Sequence, residues 1–246
     1  MTRYKVISPT ADVRGQPDDQ ALRGKIESQL AYGEIFIGEE EKDGWIKGTC
    51  AHDNYPGYID KQYLTREFSA ATHVVTAQRS HIYRDADMKS PLLSTLGFGS
   101  QLTVIEQGEK FAKLETGEWI FARHIAPLSA REDFVEAALR LVETPYVWGG
   151  RTGLGMDCSG LVQMALARAG VSAPRDTNQQ EGVIGYDVTQ QPRQRGDIVY
   201  FPGHVGIMID EKNILHANAF HMKTTIEPLQ TVAARSDSKI TAVRRI

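Results

Sequence analysis

Short β-forming runs separated by turn residues fill the first half of the chain, and their pattern occurs twice. The first set includes Glu34-Ile35-Phe36-Ile37-Gly38, Gly44-Trp45-Ile46-Lys47-Gly48 and Gly57-Tyr58-Ile59-Asp60. Gly, Asp, Asn and Pro clusters divide these runs, a spacing that suits a small barrel. Val13-Arg14-Gly15-Gln16-Pro17-Asp18 is matched later by Ile82-Tyr83-Arg84-Asp85-Ala86-Asp87, and Tyr32-Gly33-Glu34 by Phe98-Gly99-Ser100. Gly57-Tyr58-Ile59 before Tyr63-Leu64 is matched by Glu118-Trp119-Ile120 before His124-Ile125. An offset of roughly 60 to 70 residues predicts two copies of one unit. They are placed at residues 1–66 and 70–128.

The pattern changes after Pro127. Phe134, Ala138, Leu141 and Val142 fall at helical spacing within 130–143, with Ser129 and Glu132 placed for a capping box and Pro145 as the stop. A second helix is predicted from Cys158 or Ser159 through Ala169, with Asp157 as N-cap and Gly170 closing it. Strands follow at 197–201, 204–209, 213–217 and 241–243. Helices followed by strands predict an α+β domain over 130–246.

Charge and composition remove several classes of function. With 28 Lys and Arg against 31 Asp and Glu, the net charge is −3, which offers no basic stripe to a nucleic acid. No apolar run approaches the ~20 residues of a membrane span. The start, Met1-Thr2-Arg3-Tyr4-Lys5-Val6-Ile7, lacks the apolar core of a secretory signal, so a cytoplasmic location is expected. The two cysteines, Cys50 and Cys158, form no metal-binding pair, and in a reducing compartment a disulfide between them is not expected.

Cys158 carries the chemistry. It lies in Gly153-Leu154-Gly155-Met156-Asp157-Cys158-Ser159-Gly160, where glycines allow a sharp turn into a helix. A sulfur at a helix N-terminus meets unpaired N–H groups and a positive dipole end, which favour a thiolate. Cys50 has no such setting and reads as structural. A cysteine nucleophile needs a base, and the base a polar orienter. His204 and His216, in neighbouring predicted strands, fit those roles, while His52, His73, His81, His124 and His221 receive none. A two-residue hairpin loop pairs Asp210 with Asn213 and puts His216 opposite Ile207. His204 then falls on the other face unless a bulge intervenes or it lies outside the regular pairing. A zinc site of Cys158, His204 and His216 lacks a nearby fourth ligand, so neither metal nor cofactor is expected.

Two resemblances extend this reading. Both N-terminal copies resemble bacterial SH3-like barrels, with an early V-R-x-x-P turn, a central G-E-x-V strand and a closing G-W-I/V segment. The second copy departs in lacking a tryptophan near Phe111. The ordered series Pro145-Tyr146-Val147-Trp148-Gly149-Gly150, Asp157-Cys158-Ser159-Gly160, Pro174-Arg175-Asp176, Arg195-Gly196-Asp197-Ile198-Val199, His204-Val205-Gly206-Ile207 and His216-Ala217 resembles the NlpC/P60 cell-wall peptidases, which are papain-like cysteine hydrolases. The resemblance implies two small SH3-like β-barrels followed by a papain-like α+β catalytic domain. It implies a Cys158 thiolate paired with a His204 imidazolium and oriented by His216. The Tyr146 hydroxyl and the Cys158 amide would form the oxyanion site, such donors commonly being worth ~2.7–4 kcal/mol each.

The resemblance also implies cleavage of the γ-D-glutamyl to diamino-acid amide in murein stem peptides. Members with N-terminal SH3-like barrels act on recycled peptides with a free N-terminal L-alanine. An ammonium buried in a cleft needs partners. Asp157 and Ser159 are the first candidates, Tyr55 and Glu34 the matches in the first barrel, and Thr177 stands where serine is frequent. The alternatives are an envelope hydrolase acting on polymeric wall and a catalytically dead wall-peptide binding module. Oligomeric state and the preferred diamino acid stay open.

Overall fold

The computed structural model describes residues 1–17, 26–235 and 239–246, so Asp18 of the first repeat motif lies outside the described residues. The chain forms two compact units, Met1–Ala130 with Thr152–Leu154, and Arg131–Arg151 with Gly155–Ile246. Among the described residues no helix is long and apolar enough to cross a membrane.

The first unit is β-rich and SH3-like, with two hydrophobic cores. One gathers Tyr4, Val6, Val13, Leu30, Phe36, Ile46, Cys50 and Ile59 under a seven-stranded sheet. The other gathers Val75, Ile82, Leu96, Leu102, Leu114, Ile120 and Ile125 between a five-stranded and a three-stranded sheet. The repeat read from sequence has a physical counterpart in the backbone hydrogen bonds. Gly33 N–H donates to Val6 O as Gly99 N–H donates to Val75 O, and Val6 N–H donates to Glu34 O as Val75 N–H donates to Ser100 O. Gly33 and Gly99 sit at φ +81° and +87°, the left-handed region that favours glycine. Gly33 has a second constraint: a Cβ there would stand 2.0 Å from the carbonyl oxygen of Gln101. A single 3₁₀ turn precedes the closing strand in each copy, at Lys61–Tyr63 and Ala122–His124.

The second unit is built on a six-stranded antiparallel sheet. Its order is Tyr186–Asp187, Ala242–Arg245, Ile198–Phe201, His204–Met208, Asn213–Asn218 and Lys223–Pro228. Helix α1 (Phe134–Leu139) packs on helix α2 (Cys158–Ala169), which lies against the His204–Met208 and Asn213–Asn218 strands. Helix α3 (Thr177–Val183) and helix α4 (Leu229–Arg235) complete the unit.

Helix α2 begins and ends as its sequence predicts. Asp157 accepts from Gly160 N–H at 2.7 Å, and Gly170 caps the other end at φ +81°. It is buried along nearly its whole length, so it serves as the central pillar of the unit. Helix α1 is shorter than predicted and starts elsewhere. Asp133, not Ser129, is its N-cap, accepting from Val135 and Glu136 N–H. Glu132 pairs instead with Arg140 and Arg168. The ion pairs outweigh the local capping box, and the chain leaves the helix at Arg140, well before Pro145.

Candidate active site

The hairpin that carries the two histidines has a register one residue away from the simplest prediction. Ile207 pairs with Leu215 and Met208 with Ile214, and Ile209 N–H donates to Asn213 O at 3.0 Å. The loop therefore holds three residues, Asp210, Glu211 and Lys212. Asp210 stabilises it by accepting from the N–H groups of Lys212 and Asn213 at 2.7 and 2.8 Å. A shift of one residue turns every side chain to the other face. This register puts Gly206 opposite His216, so His204, two residues from Gly206, shares the face of His216. No bulge is needed. His204 also lies within regular pairing, opposite Phe201 across the Pro202-Gly203 turn.

The rings then meet: His204 Nε2 is 2.8 Å from His216 Nδ1. His216 is 1% exposed, and its Nε2 lies 3.0 Å from Glu227 Oε2 on the neighbouring strand. Glu227 in turn pairs with Arg235 of α4 and lies 3.2 Å from His221 Nε2. Burial lowers the pKa of both rings. His204 comes down to about 4, with His216 adding to the effect, while Glu227 partly offsets the fall at His216. Arg235 holds the Glu227 carboxyl down to about 2. His221, which has no role in the sequence reading, thus belongs to this cluster.

Cys158 is the first residue of α2 and is buried. Its Sγ is 3.9 Å from Thr177 Oγ1. Gln180 holds Thr177's helix in place by donating to the carbonyls of Ser159 and Pro174, at 3.0 and 2.9 Å. Burial, then the charge of Asp157, push the thiol pKa up, against hydrogen bonds from Thr177 and the Val205 and Ser159 amides. The Val205 amide, next to His204 in sequence, therefore brings the start of that strand to the sulfur. Taken singly, these surroundings favour a neutral thiol and a neutral imidazole. Desolvation is the largest influence on each of the two groups.

Tyr146 is half-buried and is coupled electrostatically to Cys158 and Asp157. Burial first, then those two charges, push its phenol up to about 12, so it is a protonated hydrogen-bond donor at neutral pH. Asp157 is 7% exposed and densely bonded. Its Oδ1 accepts from Gly160 N–H, Arg175 Nη1 and Ser159 Oγ, at 2.7, 3.1 and 3.3 Å. Its Oδ2 accepts from Gly149 N–H at 2.9 Å and from Arg175 Nη2. Arg175 is 2% exposed and also donates to Ser159 Oγ at 2.7 Å. The carboxylate that the sequence offers to a substrate ammonium is thus also the helix cap and one half of a buried ion pair. Gly160 is required beneath it, since a Cβ there would lie 2.3 Å from Gly150 O.

Cys158, His204, His216, Tyr146, Asp157, Ser159 and Thr177 all lie in the second unit. Glu34 and Tyr55 lie in the first. Glu34 is buried and accepts from Ala31 N–H at 2.8 Å, closing the turn at Gly33. Tyr55 is half-buried against the first core. Arg175, Glu227 and Arg235 carry no assigned role in the sequence reading. Arg175 stands in the quoted Pro174-Arg175-Asp176 segment, but nothing local to that segment ties it to Asp157. Glu227 offered only a lone carboxylate in an unrecognised strand.

Comparison with known proteins agrees with this geometry. Residues 143–243 match the NlpC/P60 family, and residues 13–64 match the bacterial dipeptidyl-peptidase SH3 domain. The chain is 30% identical over 238 residues to dipeptidyl-peptidase 6 of Lysinibacillus sphaericus, covering 87% of this chain and 86% of that protein. It is 26% identical to the γ-D-glutamyl-L-lysine dipeptidyl-peptidase of Bacillus subtilis, over 89% of this chain and 81% of that one. In fold it is similar to the crystal structure of an NlpC/P60 family protein from Bacillus cereus. That match has a TM-score of 0.84 and 18% identity, and covers 99% of each chain. With Cys158 at the head of α2, the paired histidines and a relative matched over 86% of its length in agreement, the chain belongs to the NlpC/P60 family of cysteine peptidases.

Proposed function

We propose that the protein hydrolyses the γ-D-glutamyl to diamino-acid amide of peptidoglycan stem peptides that carry a free N-terminal L-alanine. The reading places it in murein peptide recycling, in the cytoplasm. The observation that carries the chemistry is the 2.8 Å contact between His204, which begins the strand whose Val205 amide reaches Cys158, and His216 on the neighbouring strand. The substrate class is supported by similarity to two proteins named γ-D-glutamyl-L-lysine dipeptidyl-peptidase, from Bacillus cereus and Bacillus subtilis.

In this reading His204 takes the thiol proton as the sulfur attacks the amide carbon. The tetrahedral oxyanion is met by the Tyr146 hydroxyl and the Cys158 amide. The same proton then passes to the leaving amine, and the C–N bond breaks to give a thioester. Water, deprotonated by His204, hydrolyses the thioester and restores the thiol. His216 keeps the His204 ring in place, and Thr177 donates to the sulfur. Asp157 and Ser159 lie beside the nucleophile, where they bear on the substrate's ammonium end.

The test is a substrate panel followed by mass spectrometry: L-Ala-γ-D-Glu-diamino-acid tripeptides, the same peptides acetylated at the α-amine, and intact sacculi. Rapid cleavage of the free tripeptide is expected, with at least a tenfold loss on acetylation. Cleavage of sacculi with indifference to acetylation supports the polymeric-wall alternative. Binding without any cleavage supports the dead module.

A further inference from the structure

A neutral imidazole is a base at one nitrogen only, so the position of its proton decides whether His204 can accept one from sulfur. Its Nε2 is already engaged with His216 Nδ1 at 2.8 Å. The neighbouring groups determine which of those two nitrogens holds the hydrogen. His216 Nε2 faces Glu227 Oε2 at 3.0 Å, and the ionised carboxylate only accepts. A lone pair on that nitrogen would face a charged oxygen with no hydrogen between them, in a site where such a mismatch is costly.

One group opposes this. Asn218 Nδ2 lies 3.3 Å from the same His216 nitrogen, its Oδ1 being occupied by His221 N–H at 2.8 Å. The Asn218 contact is longer and neutral, whereas the Glu227 contact is shorter and charge-assisted. Arg235 keeps the carboxylate charged and aimed, with Nη1 at 3.0 Å from Oε2, and its guanidinium stacks 3.9 Å over Phe220. His221 Nε2 stands 3.2 Å from that oxygen on another side.

We propose that Glu227 is a positioning residue that sets, through His216, the tautomer of His204. With the hydrogen of His216 on Nε2, its Nδ1 is a bare acceptor. His204 must then donate from Nε2, which leaves its Nδ1 as the free base. A carboxylate two rings away thereby selects the nitrogen that takes the proton. The inference rests on the cysteine-peptidase reading but not on the choice of substrate.

Long-range ¹H–¹⁵N spectra of histidine-labelled protein at pH 7.5, where both rings are neutral, test it. The wild type is expected to show His204 and His216 both protonated at Nε2 and bare at Nδ1. A hydrogen on Nδ1 of either ring overturns the proposal. Glu227→Gln, whose carboxamide can turn to donate, is expected to admit the other His216 tautomer. It should lower kcat about 10- to 100-fold with KM within about twofold, less than the ~10⁴-fold loss seen when the carboxylate directly beside a triad histidine is replaced, because Glu227 acts one ring further away. Glu227→Asp should keep the wild-type tautomers and recover most of kcat. A folded Glu227→Gln protein with unchanged tautomers and kcat also overturns it, and the wild-type spectrum decides alone if that variant does not fold. Failure to cleave γ-glutamyl peptides would refute the substrate reading and leave the tautomer assignment standing.

Discussion

His204 and His216 stand on one face of the sheet because the hairpin between their strands turns through three residues, which brings Nε2 of the first within 2.8 Å of Nδ1 of the second. That contact ranks the expected losses. Cys158→Ala and His204→Ala should abolish turnover. His216→Ala removes only the orienter, so kcat should fall about 100-fold and leave measurable hydrolysis, at the lower end of what a positioned acid–base group supplies. Steady-state kinetics on the free tripeptide check the order. Equal losses in all three variants would contradict it.

The pH dependence follows from the same burial. Protonating His204 removes the base, and its pKa lies at about 4, well below the ordinary 6.5. The acid limb of kcat/KM should therefore fall near pH 4 and move upward when His216 is removed. Stability carries the same sign. The unfolded chain binds this proton from 6.5 downward while the folded chain resists it to about 4, so the contribution is complete above 6.5. About 3 kcal/mol of it is lost as pH falls to 4. An acid limb near 6.5 would contradict this assignment.

The Asp157–Arg175 pair sits almost out of solvent, and breaking it from one side strands a buried charge. Arg175→Ala should cost about 3–5 kcal/mol in denaturant unfolding. Arg175→Met combined with Asp157→Asn should cost less than Arg175→Ala, since no unpaired charge is left. If the single change costs under about 1 kcal/mol, the pair is not holding the loop before α2.

Two glycines of the first unit give a matched contrast. Gly117 is at φ +100° with open space around its missing Cβ, whereas Gly33 is at φ +81° with Gln101 O in the way. Gly117→Ala should cost about 1–2 kcal/mol, the left-handed strain alone. Gly33→Ala should cost clearly more, because backbone must also move. Thermal unfolding of the two variants compares them, and equal costs would refute the close approach.

What the sequence revealed was what local chemistry decides. Helix α2 was legible from Asp157 to Gly170 because both caps lie within the segment they terminate. The duplicated turn was legible because Gly33 and Gly99 each answer a backbone demand for positive φ. The hairpin register was not, since whether Asp210 closes a two- or three-residue loop depends on its side chain reaching Lys212 and Asn213 N–H. Glu227 was hidden for a related reason. It meets His216 only through the pairing of Asn213–Asn218 with Lys223–Pro228, where His216 stands opposite Thr225 and Glu227 is a diagonal neighbour. Arg175 stood in plain sight, but its partner Asp157 is 18 residues earlier and meets it only through the fold.

The most direct test of the central claim is hydrolysis of L-Ala-γ-D-Glu-diamino-acid tripeptide in H₂¹⁸O, read by mass spectrometry for wild type and Cys158→Ala. Expected are one ¹⁸O in the released L-Ala-D-Glu after a single turnover, a mass shift on wild-type Cys158 trapped as the acyl-enzyme by rapid acid quench, and no product from the variant. Product from Cys158→Ala at a rate comparable to wild type would contradict the claim that this sulfur is the nucleophile.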